Sequence, residues 1–140
     1  MSQLDEASFN LGLHAGEIKA WCEAAGNDAK KMSLSAPFKP EELKAIEPYM
    51  KEYAERNNVN YYLEETLIQT DLFGSMDLTG IWVFIIYKHP TVIAEYHSLK
   101  RERKKLVEED AYTGEPRRSI AVRFGKLLGY SDEAINKRWS

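Results

Sequence analysis

Ile81-Trp82-Val83-Phe84-Ile85-Ile86-Tyr87 is an unbroken run of seven apolar residues in a chain of 140. β-branched and aromatic side chains dominate it, and the run is too short for a typical helix, so it reads as a strand buried on both faces. Ile81, Val83, Ile85 and Tyr87 fall on one side, and Trp82, Phe84 and Ile86 on the other. Upstream, Val59–Thr70 supplies a partner arm, with Tyr61, Leu63 and Leu67 on one face and Tyr62, Thr66 and Ile68 on the other. The two arms define an antiparallel β-hairpin. A two-stranded hairpin is marginal alone, and a doubly buried strand needs cover on both sides. That cover comes either from helices wrapped around it or from a second subunit, and a homo-oligomer is the expectation.

Helical patterns flank the hairpin. Leu4–Ala25 carries Leu4, Ala7, Leu11, Ala15, Ile18 and Cys22 at spacings of three and four, with Ser2 as a cap. The same segment carries a ridge of small residues, Ser8, Gly12, Gly16, Ala20 and Ala24. Such a ridge suits close packing within the chain or a helix–helix seam between copies. Gly26–Lys39 reads as a loop. Pro40 opens a helix with Leu43, Ile46, Met50 and Tyr53 inward, a kink or a division into two short helices expected at Pro48 and a stop at Asn57-Asn58. Pro90 opens a long helix reaching about Asp110, Ala111–Pro116 is a turn, and Arg117–Leu128 is helical. Gly129 stops it, and Ser131 caps a last short helix containing Ala134, Ile135 and Trp139. The expected architecture is α+β, with about five helices packed around a two-stranded antiparallel β-hairpin in one domain spanning residues 1–140.

Composition narrows the function classes. The single cysteine, Cys22, excludes an internal disulfide and multi-cysteine zinc sites, and fits a reducing compartment. No stretch approaches the roughly 20 apolar residues of a membrane span, and the N-terminus lacks the pattern of a secretory signal. A cytoplasmic protein with no membrane association is expected. His14, His89 and His97 have no second histidine or cysteine at metal-ligand spacing, so no metal is expected. Phosphate-loop, dinucleotide and nucleophile-elbow motifs are missing, so no cofactor is expected. Leu72-Phe73-Gly74-Ser75 resembles the turn that opens nucleotidyltransferase sites, but the strand that follows carries none of the carboxylates their metal requires.

The formal net charge of −3 conceals an asymmetry: residues 1–99 carry −7 and residues 100–140 carry +4. The cations Lys100, Arg101, Lys104 and Lys105 lie on the long helix, and Arg117, Arg118, Ser119 and Arg123 on the next. With Arg117 and Arg118 at a helix start, free N–H groups would add to the guanidinium charge. These residues form the candidate site for an anionic ligand, a nucleic acid or an acidic protein. Ion pairing with Glu108–Asp110 is the competing role. An alternative is an enzyme whose site forms between subunits around His97, Glu95 and Arg101.

The pattern from Phe124 to Trp139 has Gly125 four residues before a turn glycine, Gly129, and apolar Ile135 six residues after it. It resembles a helix-turn-helix motif. The resemblance implies a DNA-binding regulator whose second helix enters the major groove, with Ser131, Asp132, Asn136 and Lys137 on or near it. The segment Arg123–Tyr130 is also similar to a Leu-Gly-Tyr-Pro-x-Cys-Cys tail of uncharacterised archaeal proteins, without the proline and cysteines; that similarity implies no function. The leading expectation is a small non-enzymatic binding or regulatory protein, of adaptor or inhibitor type, whose basic C-terminal third engages an anionic partner.

Overall fold

A computed structural model describes residues 3–74 and 76–137, with side chains described from Asn10 onward. The apolar run forms the middle of a sheet, but the sheet has three strands rather than two. β1 is Met32–Leu34, β2 is Asn60–Glu64 and β3 is Val83–Tyr87, in the order β1-β3-β2, both pairings antiparallel. β1 lies within the segment expected to be a loop. Three residues are too few to show an alternating pattern, so pairing with a strong neighbour decides their conformation. Met32 aligns with Tyr87 and Leu34 with Ile85, and a bridge from Phe38 to Trp82 prolongs the contact. The Ser35 hydroxyl reinforces it by accepting a hydrogen bond from the Phe84 N–H at 2.9 Å.

Both faces of β3 are covered from within the chain. Phe84 and Ile86 pack with Ile18 and Cys22 of α1 (Gln3–Gly26) and with Ile46, Met50 and Ala54 of α2 (Leu43–Asn57). Val83 and Ile85 pack with Val92, Tyr96 and Leu99 of α3 (Pro90–Glu108) and with Ile120 and Phe124 of α4 (Gly114–Leu127). A short α5 (Asp132–Asn136) closes against α4. Each fully buried Phe or Ile contributes about 1.5–3 kcal/mol of transfer free energy, which makes β3 the natural anchor of both layers. The cover that a two-stranded hairpin lacks is supplied within the chain by β1 and four helices.

Several boundaries differ from expectation for local reasons. β2 ends at Glu64, because residues beyond it leave the sheet and run along α3. α2 continues through Pro48 as one helix rather than two short ones, with a separate 3-10 turn at Pro40–Glu42. Asn58 ends α2 in the left-handed region at φ 54°. α4 begins at Gly114, one turn before Arg117, so the free N–H groups lie upstream of both arginines. On α1, a Cβ placed on Gly12 or Gly16 meets no atom within 4 Å; these glycines face away from the chain's own helices. The expected caps and contacts at Ser2, Leu4 and Ala7, the Ser8 side chain, Ser75 and Trp139 lie outside what is described. No helix among the described residues is long and apolar enough to cross a membrane.

Candidate anion-binding groove

Glu64 ends β2 with its side chain turned inward, only 5% exposed. An ionised carboxylate there requires several donors. The Tyr96 hydroxyl donates to its Oε2 at 2.6 Å, the Lys100 ammonium donates to the same oxygen at 2.9 Å, and the Thr66 N–H donates to Oε1 at 3.0 Å. Tyr96 and Lys100 are four residues apart on α3 and therefore share one face. The network extends to the backbone: Tyr96 Oη accepts from the Ile68 N–H at 3.1 Å, and Lys100 donates to the Thr66 carbonyl at 2.7 Å. Burial, and then the Glu64 carboxylate, hold the Tyr96 hydroxyl well above its ordinary pKa, so it remains a donor.

This network lays residues 64–68 alongside α3 and leaves an open groove of about 510 Å³ between them. Thr66, Leu67, Ile68 and Gln69 form one wall. The other is helical, with His97, Lys100, Arg101 and Lys104 along it and Arg103 beside them. The His97 ring packs edge-on against Tyr62, with centroids 4.8 Å apart.

The groove cations differ in availability. Lys100 is bound to the buried Glu64. The Arg103 guanidinium lies over the Tyr112 ring at 4.8 Å, with its Nε buried and lacking a hydrogen-bond partner. Arg101 and Lys104 are exposed and make no hydrogen bond or ion pair among the described residues. Their charge is open to a ligand. Lys105 is likewise exposed and unpaired among the described residues, but one step further around α3 it leaves the groove lining.

The α4 cations are engaged elsewhere. Arg117 binds Asp71 through two hydrogen bonds of 2.7 Å, while its guanidinium lies 5.2 Å from the Tyr112 ring centre. The partner is therefore Asp71, and not the expected Glu108–Asp110. Those two hydrogen bonds hold the Asp71 carboxyl below the usual carboxylate range. Arg123 binds Glu102 at 2.8 Å and the Ser119 hydroxyl at 3.1 Å, which lowers the Glu102 carboxyl in the same way. Arg118 reaches the Asn136 side-chain oxygen at 3.5 Å. Of the expected anion-site residues, the structure gathers Lys100, Arg101 and Lys104 into one groove, while Arg117, Arg118, Ser119 and Arg123 make their contacts from α4. His97 and Arg101 share the groove, but Glu95 does not line it.

The α4–α5 corner has clear local causes. Gly129 adopts φ 85°, Tyr130 N–H donates to the Gly125 carbonyl at 2.9 Å and Gly129 N–H to the Lys126 carbonyl at 3.0 Å, a Schellman end. The Ser131 hydroxyl then accepts from the Ala134 N–H at 3.1 Å. Buried Ile135 packs onto Gly125, where a Cβ would sit 3.0 Å from its side chain. The five-residue α5 places Asp132 and Glu133 in its first turn, with Asn136 and Lys137 exposed at its end.

Among the described residues no group of three His, Cys, Asp or Glu side chains is placed to hold a metal ion. Cys22 is buried, and burial pushes its thiol up to about 12, which makes it a poor nucleophile. Glu64 and Tyr96, which shape the groove, escaped sequence reasoning as a pair. The available signal was Lys100 four residues after an inward tyrosine, a cation on the apolar stripe that needs a buried acid. No protein-family model matches the chain, and comparison with curated proteins and with solved structures finds no match either.

Proposed function

We propose that the chain is a non-catalytic binding protein, of regulatory or adaptor type, whose α3 groove receives an anionic group of its partner. One observation carries this reading: Arg101 and Lys104 line a single groove and have no acidic partner among the described residues, whereas Lys100 beside them is paired with Glu64, and Arg117, Arg123 and Lys126 of α4 are paired with Asp71, Glu102 and Asp132. The opposite wall is the Thr66–Gln69 segment, so a phosphate- or carboxylate-bearing ligand would meet the α3 cations on one side of the groove. Isothermal titration with inorganic pyrophosphate at low ionic strength tests it. Binding that weakens as salt rises supports the groove, because exposed charges are screened over roughly 10 Å at 0.1 M salt. An absence of heat at any salt concentration rejects it.

A DNA-binding regulator built on Phe124–Trp139 is the second reading. The Gly125–Ile135 contact and the tight Gly129 turn favour it, since both match the spacing of a helix-turn-helix. The five-residue α5 and its leading acids weigh against major-groove insertion. A random-sequence DNA duplex decides: affinity falling steeply with salt supports this reading, and no complex at low salt removes it.

A further inference from the structure

A second, smaller pocket of about 180 Å³ lies beneath the segment joining β2 to β3, on the α3/α4 side of the sheet. Leu34 and Val83 come from the strands, Leu67 and Phe73 from the crossing segment, and Leu78 and Ile81 from the approach to β3. Among the described lining residues the only hydroxyl belongs to Ser35, and that group is already used twice: it donates to the Ala36 carbonyl at 3.1 Å and accepts from the Phe84 N–H at 2.9 Å. The pocket is half open to solvent, and the side chains of its described lining offer no unspent hydrogen-bonding group to hold water in place. Its volume has room for a molecule of about benzene size, which would displace that loosely held water. A long acyl chain exceeds the volume, and a charged group would lose its hydration without replacement. Met76, 58% exposed, leaves its apolar side chain in water at the same pocket.

We propose that this pocket binds a small uncharged apolar molecule of ring size, independently of the cationic groove. Methyl-resolved NMR of the full chain titrated with toluene tests it. The expected result is saturable shifts of the Leu34, Leu67, Leu78, Ile81 and Val83 methyls, with Ile18 and Ile46 on the other face of the sheet unmoved. Ile81→Phe, which fills the pocket from one wall, should weaken toluene binding at least tenfold; the wild-type map stands by itself if that variant does not fold. Toluene leaving the pocket methyls unmoved, or shifting both faces of the sheet alike, overturns the proposal. The same methyls shifting with protein concentration alone would give the pocket to a second copy and equally overturn it. Pyrophosphate binding is unaffected by either result.

Discussion

α3 and α4 both carry several cations, yet they use them differently. On α4, Arg117 and Arg123 are tied to Asp71 and Glu102, and Lys126 lies 3.2 Å from Asp132. On α3, Lys100 is tied to Glu64, while Arg101 and Lys104 project into the groove without an acidic partner among the described residues. The two helices are comparable in sequence charge and unequal in what they can offer a ligand. Charge count measures the field at a distance; the pairing pattern decides where an anion can settle.

The sharpest way to break this contrast is to attack the one paired cation of the groove. Glu64→Ala strips Lys100 and the Tyr96 hydroxyl of their shared acceptor. We expect a loss of about 3 kcal/mol in urea unfolding, as for the removal of one member of a buried pair. A loss below about 1 kcal/mol would show that the network does not hold the groove wall.

Gly125→Ala probes the α4–α5 corner, where the added methyl meets Ile135 at 3.0 Å. The contact is with a flexible side chain that can yield in part, so about 1–2 kcal/mol is expected. A neutral result would mean that the corner is loosely packed and that its resemblance to a helix-turn-helix lacks the close helix approach.

Smaller still is the effect of removing the α4 pairs. Arg117→Ala with Arg123→Ala should cost at most about 1 kcal/mol at neutral pH, because both pairs are largely exposed. Asp71 and Glu102 have folded-state pKa values below their unfolded ones, so their contribution is present above the ordinary carboxylate pKa and fades as pH falls through the depressed values. The stability gap between wild type and the double variant should therefore close on acidification. A gap that stays constant into that acid range would assign the stabilisation to side-chain packing, such as that of the Arg117 guanidinium on the Tyr112 ring, instead.

How much of this was legible beforehand depended on the length of the signal. β3 announced itself through seven apolar residues, and α1, α2 and α3 through long apolar periodicities. β1 did not, because three residues flanked by lysines, serines and a proline become a strand only against the edge of β3. The helix-ending asparagine and glycine were readable because their left-handed backbone demands those residue types. The cationic site was half readable. Lys100, Arg101 and Lys104 fall together through helical spacing alone, whereas Asp71 and Arg117 are 46 residues apart and meet only through the tertiary fold. Sequence distance hides an ion pair of that kind, so charge that looked available on α4 is spent.

The most direct test compares the two helices in one experiment. Pyrophosphate affinity would be measured for the wild type, for Arg101→Ala with Lys104→Ala, and for Arg117→Ala with Arg123→Ala. We expect the α3 double variant to lose at least tenfold in affinity, about 1.4 kcal/mol, with unfolding stability unchanged within about 0.5 kcal/mol. The α4 double variant should bind as the wild type does. Equal losses in both, or a loss confined to the α4 variant, would contradict the account.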